Sequence, residues 1–138
     1  METFILFLGQ QWMLVGALLV CVMMLVFHDS KRSGASLSPQ AAVKLINQED
    51  ALVVDLREAK DYKAGHIVNA VNIPYASFDK RKDELVKHKD KPLILVCRMG
   101  QHSGAIGKKL AADGFSGVRR MKGGMMEWQA QQLPLVKD

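Results

Sequence analysis

The stretch KPLILVCRMGQHSGAIGKKLAADGF, residues 91–115, says more about the expected fold than any other part of the chain. It begins with an apolar run that ends at Cys97, continues through a short polar loop, and enters a helical pattern at Ser103. A continuous apolar run of this length is typical of a parallel strand that is buried on both faces. The pattern therefore predicts a strand, a loop and a helix, with Cys97 where the strand becomes the loop.

The same alternation of strand and helix patterns extends along the chain on both sides of this stretch. Ser38 and Pro39 form a typical helix start, with a capping hydroxyl followed by proline. Strands are predicted at residues 51–58, 70–74, 92–97 and 117–121, and helices at residues 38–48, 78–88, 103–112 and 123–133. Leu85 and Val86 are expected to face inward from the charged helix 78–88, and Trp128 to enter the core. The spacing predicts an α/β fold, a parallel-centred sheet with helices on both faces.

The loop after Cys97 has the composition of an anion-binding site. In open α/β sheets, ligands bind beyond the carboxyl ends of the strands, where Cys97 is expected. Backbone N–H groups of a tight loop and of a helix start attract anions and favour a thiolate over a thiol. The residues that would contribute are Arg98, Met99, Gly100, Gln101, His102 and Ser103. A nucleophilic cysteine is one interpretation, and a small buried apolar residue is the other.

Composition and cysteine content exclude several classes of protein. The 138 residues carry a formal charge of +5. They contain no basic stripe interleaved with aromatic residues, so nucleic-acid binding is not expected. Two cysteines, Cys21 and Cys97, offer no disulfide framework, which is consistent with a reducing compartment. The four histidines lack ligand spacing relative to Cys97, so neither a structural metal nor another cofactor is expected.

The N-terminal segment, residues 3–27, contains no charged residue. A bilayer core about 30 Å thick requires roughly 20 helical residues, so this segment is predicted to be one transmembrane helix that anchors the chain in a membrane. A cleaved signal peptide and a buried core helix are the alternatives, but Glu2 replaces the expected positive charge and no polar stripe is present. The expected organisation is an anchor at residues 1–28, a linker at 29–37 and a domain at 38–136.

The charges that flank the anchor predict its orientation. Lys31 and Arg32 follow the apolar run, whereas no Lys or Arg precedes it. The positive-inside rule then places the N-terminus outside and the domain in the cytoplasm. We therefore expect a single-pass protein of a bacterial inner membrane.

Four motifs in the expected order make the domain resemble a single-domain rhodanese, a sulfurtransferase family. They are VVDLRE at 53–58, AGHIVNAVNIP at 64–74, LILVCRMGQHSGAIGKKLAADGF at 93–115, and KGGMMEWQAQQLPL at 122–135. With its apolar N-terminal segment, the chain is similar to bacterial membrane-anchored rhodaneses.

The resemblance implies a five-stranded parallel sheet flanked by helices and a catalytic Cys97 that forms a persulfide. Sulfur would pass from thiosulfate or a persulfide donor, through Cys97, to a thiol acceptor. Residues 98–103 would bind the substrate, while Asp55, Arg57 and His66 are expected to support the site structurally. A protein partner is possible in addition.

One position departs from the pattern of the family and leaves two alternatives open. Rhodaneses carry arginine where His102 stands, and the fold-related dual-specificity phosphatases carry it one residue later, where Ser103 stands. A phosphatase or arsenate reductase would lose more from this change, because a bidentate guanidinium is central to binding phosphate. The other alternative is a domain with little or no turnover that binds a protein partner at the membrane.

Overall fold

The computed structural model describes residues 1–32 and 34–137, with the side chains of residues 29–32 left aside. The chain divides into two compact units, Met1–Lys31 and Arg32–Asp138. The expected linker, residues 29–37, lies partly outside the described residues.

The N-terminal unit is a pair of helices, α1 (Glu2–Gln10) and α2 (Trp12–Arg32). Gln11 leaves helical geometry, with φ −114° and ψ 26°, and its carbonyl begins α2 by accepting from Leu14 and Val15. The two helices are bent by 79° at this break. The single continuous helix expected over residues 3–27 is therefore wrong. No helix by itself meets the length and hydropathy of a bilayer span in the described chain, whereas α1 and α2 together, up to His28, do.

The second unit alternates strands with helices, as the sequence predicts. The strands are β1 (Ala35–Leu37), β2 (Leu52–Asp55), β3 (Val71–Asn72), β4 (Leu93–Val96) and β5 (Val118–Met121). The helices are α3 (Pro39–Glu49), α4 (Ala59–Ala64), α5 (Phe78–Arg81), α6 (Ser103–Ala112) and α7 (Gly124–Ala130), with 3₁₀ turns at Tyr75–Ser77 and Lys82–His88. Ser38 caps α3 as predicted, its hydroxyl accepting from the Ala41 N–H at 3.2 Å.

All five strands form one parallel sheet in the order β1-β5-β4-β2-β3. The edge strand β1 pairs with β5, Ala35 opposite Arg119, although the sequence assigns residues 29–37 to a linker. The linker assignment is wrong for residues 35–37. Ala35 and Ser36 are exposed and are small or polar, so the local sequence shows no strand pattern. The pairing with β5 supplies what the local sequence lacks.

The central strand β4 is completely buried, and its side chains alternate between two cores. Leu93 and Leu95 join the core on one face of the sheet, and Ile94 and Val96 join the core on the other. Strand side chains alternate with a period of two, so four apolar residues in a row serve two layers of helices. This burial holds the end of β4, and with it Cys97, in a fixed position.

The charged segment after β3 differs from its predicted form. Instead of one helix over residues 78–88, α5 ends at Arg81 and a 3₁₀ segment continues to His88. Leu85 is buried as predicted, but Val86 is half exposed. With three residues per turn, adjacent side chains point about 120° apart, so Leu85 and Val86 do not both face the core.

Candidate active site at the end of the central strand

Cys97 follows the last residue of β4 and is 2% exposed. Its Sγ accepts a hydrogen bond from the backbone N–H of Gly100 at 2.9 Å. The chain therefore curls around the sulfur, as the amide-rich loop predicts, and Gly100 supplies the N–H that reaches it. An N–H aimed at sulfur is a favourable partner for a thiolate or for a persulfide anion.

The curl depends on the backbone of Gly100 and on the side chain of Ser103. Gly100 has φ +91°, a left-handed conformation that residues with a Cβ rarely adopt. The buried Ser103 hydroxyl donates to the Gly100 carbonyl at 3.0 Å. This bond draws the carbonyl of Gly100 toward α6. The two residues therefore set the path of the loop, while α6 begins at Ser103 beside it.

Helix α7 holds the opposite side of the loop. The N–H groups of Met125 and Met126 donate to the carbonyls of Cys97 and Arg98 at 2.8 and 3.1 Å. These are first-turn N–H groups, which have no partner within their own helix. Gly124 allows the approach, because a Cβ built there would lie 2.2 Å from the Cys97 carbonyl oxygen. The glycine pair in KGGMMEW therefore positions the loop at residues 97–102, which we call the cysteine loop.

The remaining loop side chains face outward. Arg98, Met99, Gln101 and His102 are all exposed. The His102 ring stacks on Tyr75, with ring centroids 4.3 Å apart and planes 23° apart. Tyr75 belongs to no functional motif of the sequence, and its only local signal is that an aromatic residue directly follows the β3 motif NIP. The stack gives His102 a defined place at the loop.

Asp55 and Arg57, expected to support the site, form a buried ion pair at the end of β2. Arg57 Nη2 lies 2.7 Å from Asp55 Oδ2 and donates to the Gly65 carbonyl at 2.7 Å. Asn72 on β3 donates from its side chain to the carbonyls of Asp55 and Arg57, at 3.1 and 3.0 Å. These bonds join the ends of β2 and β3 to the turn after α4.

His66 belongs to a different part of the domain. It is buried, its Nδ1 lies 2.8 Å from the Tyr62 carbonyl oxygen, and its ring stacks on Tyr62 at 3.8 Å. Its backbone exchanges two hydrogen bonds with Val136, at 2.9 and 2.8 Å. His66 therefore ties the C-terminal segment to the turn after α4. No group of three or more His, Cys, Asp or Glu side chains in the described residues is arranged to hold a metal ion.

A cleft of about 450 Å³ opens between α4 and α7 beside the cysteine loop. We call it the α4–α7 cleft, and the residues that line it include Arg57, Asp61, Gly65, Arg98, Met126 and Gln129. Arg57 follows β2, Arg98 follows Cys97, and Met126 is in the first turn of α7 after β5. The cleft therefore lies at the carboxyl edge of the sheet, where ligands of α/β proteins bind.

Comparisons with known proteins agree with this arrangement. Residues 38–131 match the Rhodanese-like domain family. The uncharacterized protein YibN of Escherichia coli K12 is 38% identical over 122 residues, which cover 88% of this chain and 85% of YibN. The thiosulfate sulfurtransferase GlpE of Pseudoalteromonas translucida is 33% identical over 88 residues, 64% of this chain and 82% of GlpE.

A solved structure shows the same fold. The crystal structure of a rhodanese-related protein from Thermoplasma volcanium superimposes with a TM-score of 0.65 at 22% identity, covering 75% of this chain and 99% of that one. The chain belongs to the rhodanese-like domain family, and its α/β domain has the five-stranded parallel sheet of the rhodanese fold.

Proposed function

We propose that the protein is a sulfurtransferase that carries sulfane sulfur on Cys97. The observation that carries the proposal is the buried Cys97 sulfur at the end of β4, held by the Gly100 N–H at 2.9 Å. The relative named thiosulfate sulfurtransferase GlpE supports the choice of substrate class. Covalent catalysis of this kind divides the transfer into two displacements.

The first displacement loads the enzyme. The Cys97 thiolate attacks the outer sulfur of thiosulfate, a new S–S bond forms, and sulfite leaves with the electron pair of the broken bond. Thiolate attack on a sulfur–sulfur bond follows the rules of thiol exchange. The backbone N–H of Gly100, which already donates to Sγ, and the other N–H groups of the loop stabilise the negative charge of the Cys97 persulfide.

His102 sets how strongly the loop attracts an anionic donor. Its ring is exposed and fixed against Tyr75. A guanidinium offers an anion a permanent charge and two parallel hydrogen bonds, and an imidazole cannot offer the same fork. With His102 in place of arginine, the loop should bind an anionic donor more weakly than a loop that carries arginine.

The N-terminal helices are proposed to anchor the domain in a bacterial inner membrane. The sixteen apolar or glycine residues 12–27 in α2 span about 24 Å as a helix, short of a bilayer core of about 30 Å. Residues of α1 therefore complete the span, and the bilayer or the bend at Gln11 adjusts to fit. Lys31 and Arg32 on the C-terminal side favour a cytoplasmic domain.

Intact-mass spectrometry of the full chain tests the transferase proposal. After incubation with thiosulfate, the wild type should gain one sulfur atom, and Cys97→Ser should gain none. The matched control is Cys21→Ser, which removes the exposed cysteine of α2 and should leave the adduct unchanged. A folded wild type that forms no adduct would instead favour a partner-binding domain, and release of phosphate from an aryl phosphate would favour a phosphatase.

Fractionation of cells that express the full chain tests the anchor. The protein should remain in the membrane pellet after an alkaline wash, and the domain should resist protease added outside intact spheroplasts. Recovery of a shortened soluble chain would show that the segment is a cleaved signal, and would contradict the anchor.

A further inference from the structure

The two segments that meet in the stack of Tyr75 on His102 are held to the face of the sheet where the Cys97 side chain packs. Tyr75 donates its backbone N–H to the Leu56 carbonyl at 3.0 Å, and Leu56 belongs to the same apolar core as Cys97. Ile106 on α6 donates its N–H to the His102 carbonyl at 3.4 Å, and it packs in that core too. The stack therefore joins two segments that both cover the Cys97 side of the sheet.

Backbone hydrogen bonds also place Tyr75 close to the end of β4. Leu56, which accepts from Tyr75, donates its own N–H to the Val96 carbonyl at 2.7 Å. Neighbouring strands lie about 4.8 Å apart, so the backbone of Tyr75 lies about two strand spacings from that of Val96. Cys97 is the next residue after Val96.

On the other side of the sulfur, His102 ends the cysteine loop. Gly100, whose N–H lies 2.9 Å from Cys97 Sγ, precedes His102 by two residues, which span at most about 7.6 Å between Cα atoms. The stack therefore bridges the end of β3 and the cysteine loop beside the sulfur.

Tyr75 is fixed through its backbone although its side chain is 40% exposed. It opens the 3₁₀ turn Tyr75–Ser77, in which the Ser77 N–H donates to the Pro74 carbonyl at 2.9 Å. Phe78, which follows the turn, is completely buried and anchors it in the core. Tyr75 therefore presents a stationary ring to the exposed side chain of His102.

The stack is what defines the position of the His102 ring. His102 is the N-cap residue of α6, but its side chain forms no capping hydrogen bond. Among the residues that the structure describes, neither of its ring nitrogens has a hydrogen-bond partner. Stacking engages the face of the imidazole and leaves its edge, which carries an N–H donor, open to a ligand. Because Tyr75 orders the ring in advance, a ligand does not have to order it on binding.

We propose that Tyr75 is a positioning residue: it holds the His102 imidazole so that the N–H edge of the ring receives the anionic sulfur donor beside Cys97. The proposal rests on the sulfurtransferase function proposed above. Tyr75 acts through the face of its ring, and its hydroxyl is dispensable. The two rings work as a unit, so loss of either weakens donor binding and loss of the second adds nothing.

Sulfite release in a single turnover of the full chain separates donor binding from chemistry. The thiosulfate concentration at half-maximal rate reports binding, and the maximal rate reports the displacement at Cys97. Tyr75→Ala should raise the half-saturating concentration about fivefold, the factor that about 1 kcal/mol represents, and leave the maximal rate within about twofold. Tyr75→Phe, which keeps the ring, should behave as the wild type. Val86→Ala, which shortens another half-exposed side chain, should change neither quantity.

A double-mutant cycle shows whether Tyr75 acts through His102. His102→Ala should raise the half-saturating thiosulfate concentration at least as much as Tyr75→Ala does. The double variant should then match His102→Ala alone. Additive effects of the two substitutions would overturn the proposal. A Tyr75→Phe variant that binds thiosulfate as weakly as Tyr75→Ala would overturn it too, because the hydroxyl and not the stack would then be responsible.

Binding without chemistry distinguishes failure of this proposal from failure of the transferase function. In the full-length Cys97→Ser chain in detergent micelles, thiosulfate should shift the NMR signals of the His102 ring. The affinity read from these shifts should fall when Tyr75→Ala is added and stay the same when Tyr75→Phe is added. If the wild type releases no sulfite but this pattern holds, only the transferase proposal fails. Absence of the shifts, or equal affinities with and without Tyr75→Ala, would refute the positioning role.

Discussion

Replacement of Gly124 by alanine should damage both the stability of the domain and its cysteine loop. A Cβ at this position would lie 2.2 Å from the Cys97 carbonyl oxygen and 2.8 Å from that of Arg98. Both contacts are with backbone atoms, which cannot move away through a change of side-chain rotamer. The first turn of α7 must therefore move away from the loop. That movement breaks the bonds from Met125 and Met126 to the two carbonyls.

Two contributions set the size of the effect. Gly124 has φ +60°, and a side chain in the left-handed region costs about 1–2 kcal/mol. The two lost hydrogen bonds contribute about 0.5–1.5 kcal/mol each. Gly124→Ala should therefore lower the free energy of unfolding by about 2–5 kcal/mol, a large part of the about 5–15 kcal/mol that stabilises a typical domain.

Gly114→Ala is the matched control for backbone strain alone. Gly114 also has positive φ, +95°, but a Cβ there would meet only the flexible end of Lys89 at 3.7 Å. It should cost about 1–2 kcal/mol and leave sulfur loading intact. Urea unfolding is followed by Trp128 fluorescence in a Trp12→Phe background, so that the buried tryptophan of α7 reports on the domain.

The comparison between the two alanine variants decides the outcome. Gly124→Ala should be the less stable of the two and should load sulfur from thiosulfate more slowly even where it is fully folded. Equal losses of stability in both variants, or unchanged loading in Gly124→Ala, would refute the argument that α7 positions the cysteine loop through this contact.

Two further predictions concern histidines. His102→Arg should lower the KM for thiosulfate by up to about tenfold, because a guanidinium offers the anion a permanent charge and two parallel hydrogen bonds. Steady-state kinetics provide the test, and an unchanged or higher KM in His102→Arg would contradict it. Partial burial, together with Lys87 and Lys91, lowers the pKa of His88 from its ordinary 6.5. The unfolded chain then binds a proton more readily, so His88 should lower stability as the pH falls below 6.5 toward its folded pKa. His88→Gln should remove this dependence in urea titrations, and an unchanged pH profile would count against it.

The cysteine site could be located from sequence because its parts are contiguous. The apolar run of β4, the glycine at 100 and the start of α6 at Ser103 follow one another without interruption. Local chemistry therefore predicts the strand end, the positive φ and the curled loop. The stack of Tyr75 on His102 was not predicted, because the two residues are brought together only by the adjacent ends of β2, β3 and β4.

Three features of the structure differ from the sequence-based predictions for physical reasons. A three-residue edge strand such as β1 has too few side chains to show a period, and its stability comes from β5. The inward assignment of Val86 placed two consecutive residues on one face, whereas adjacent side chains of the 3₁₀ helix at 82–88 point about 120° apart and only Leu85 reaches the core. The break at Gln11 depends on the backbone of one residue, which apolar composition does not reveal.

Sequence alone thus determined the class of fold, the strand–loop–helix that carries Cys97, and the substitution of His102 for arginine, because hydrophobic periodicity and turn chemistry are local. Tertiary structure alone decided what surrounds the loop: the N-terminal turn of α7 against its carbonyls, Tyr75 against His102, and the α4–α7 cleft that Arg98 and Asp61 both line. These contacts join residues far apart in the chain. Their geometry follows from the order in which parallel strands lie beside one another, which no local pattern specifies.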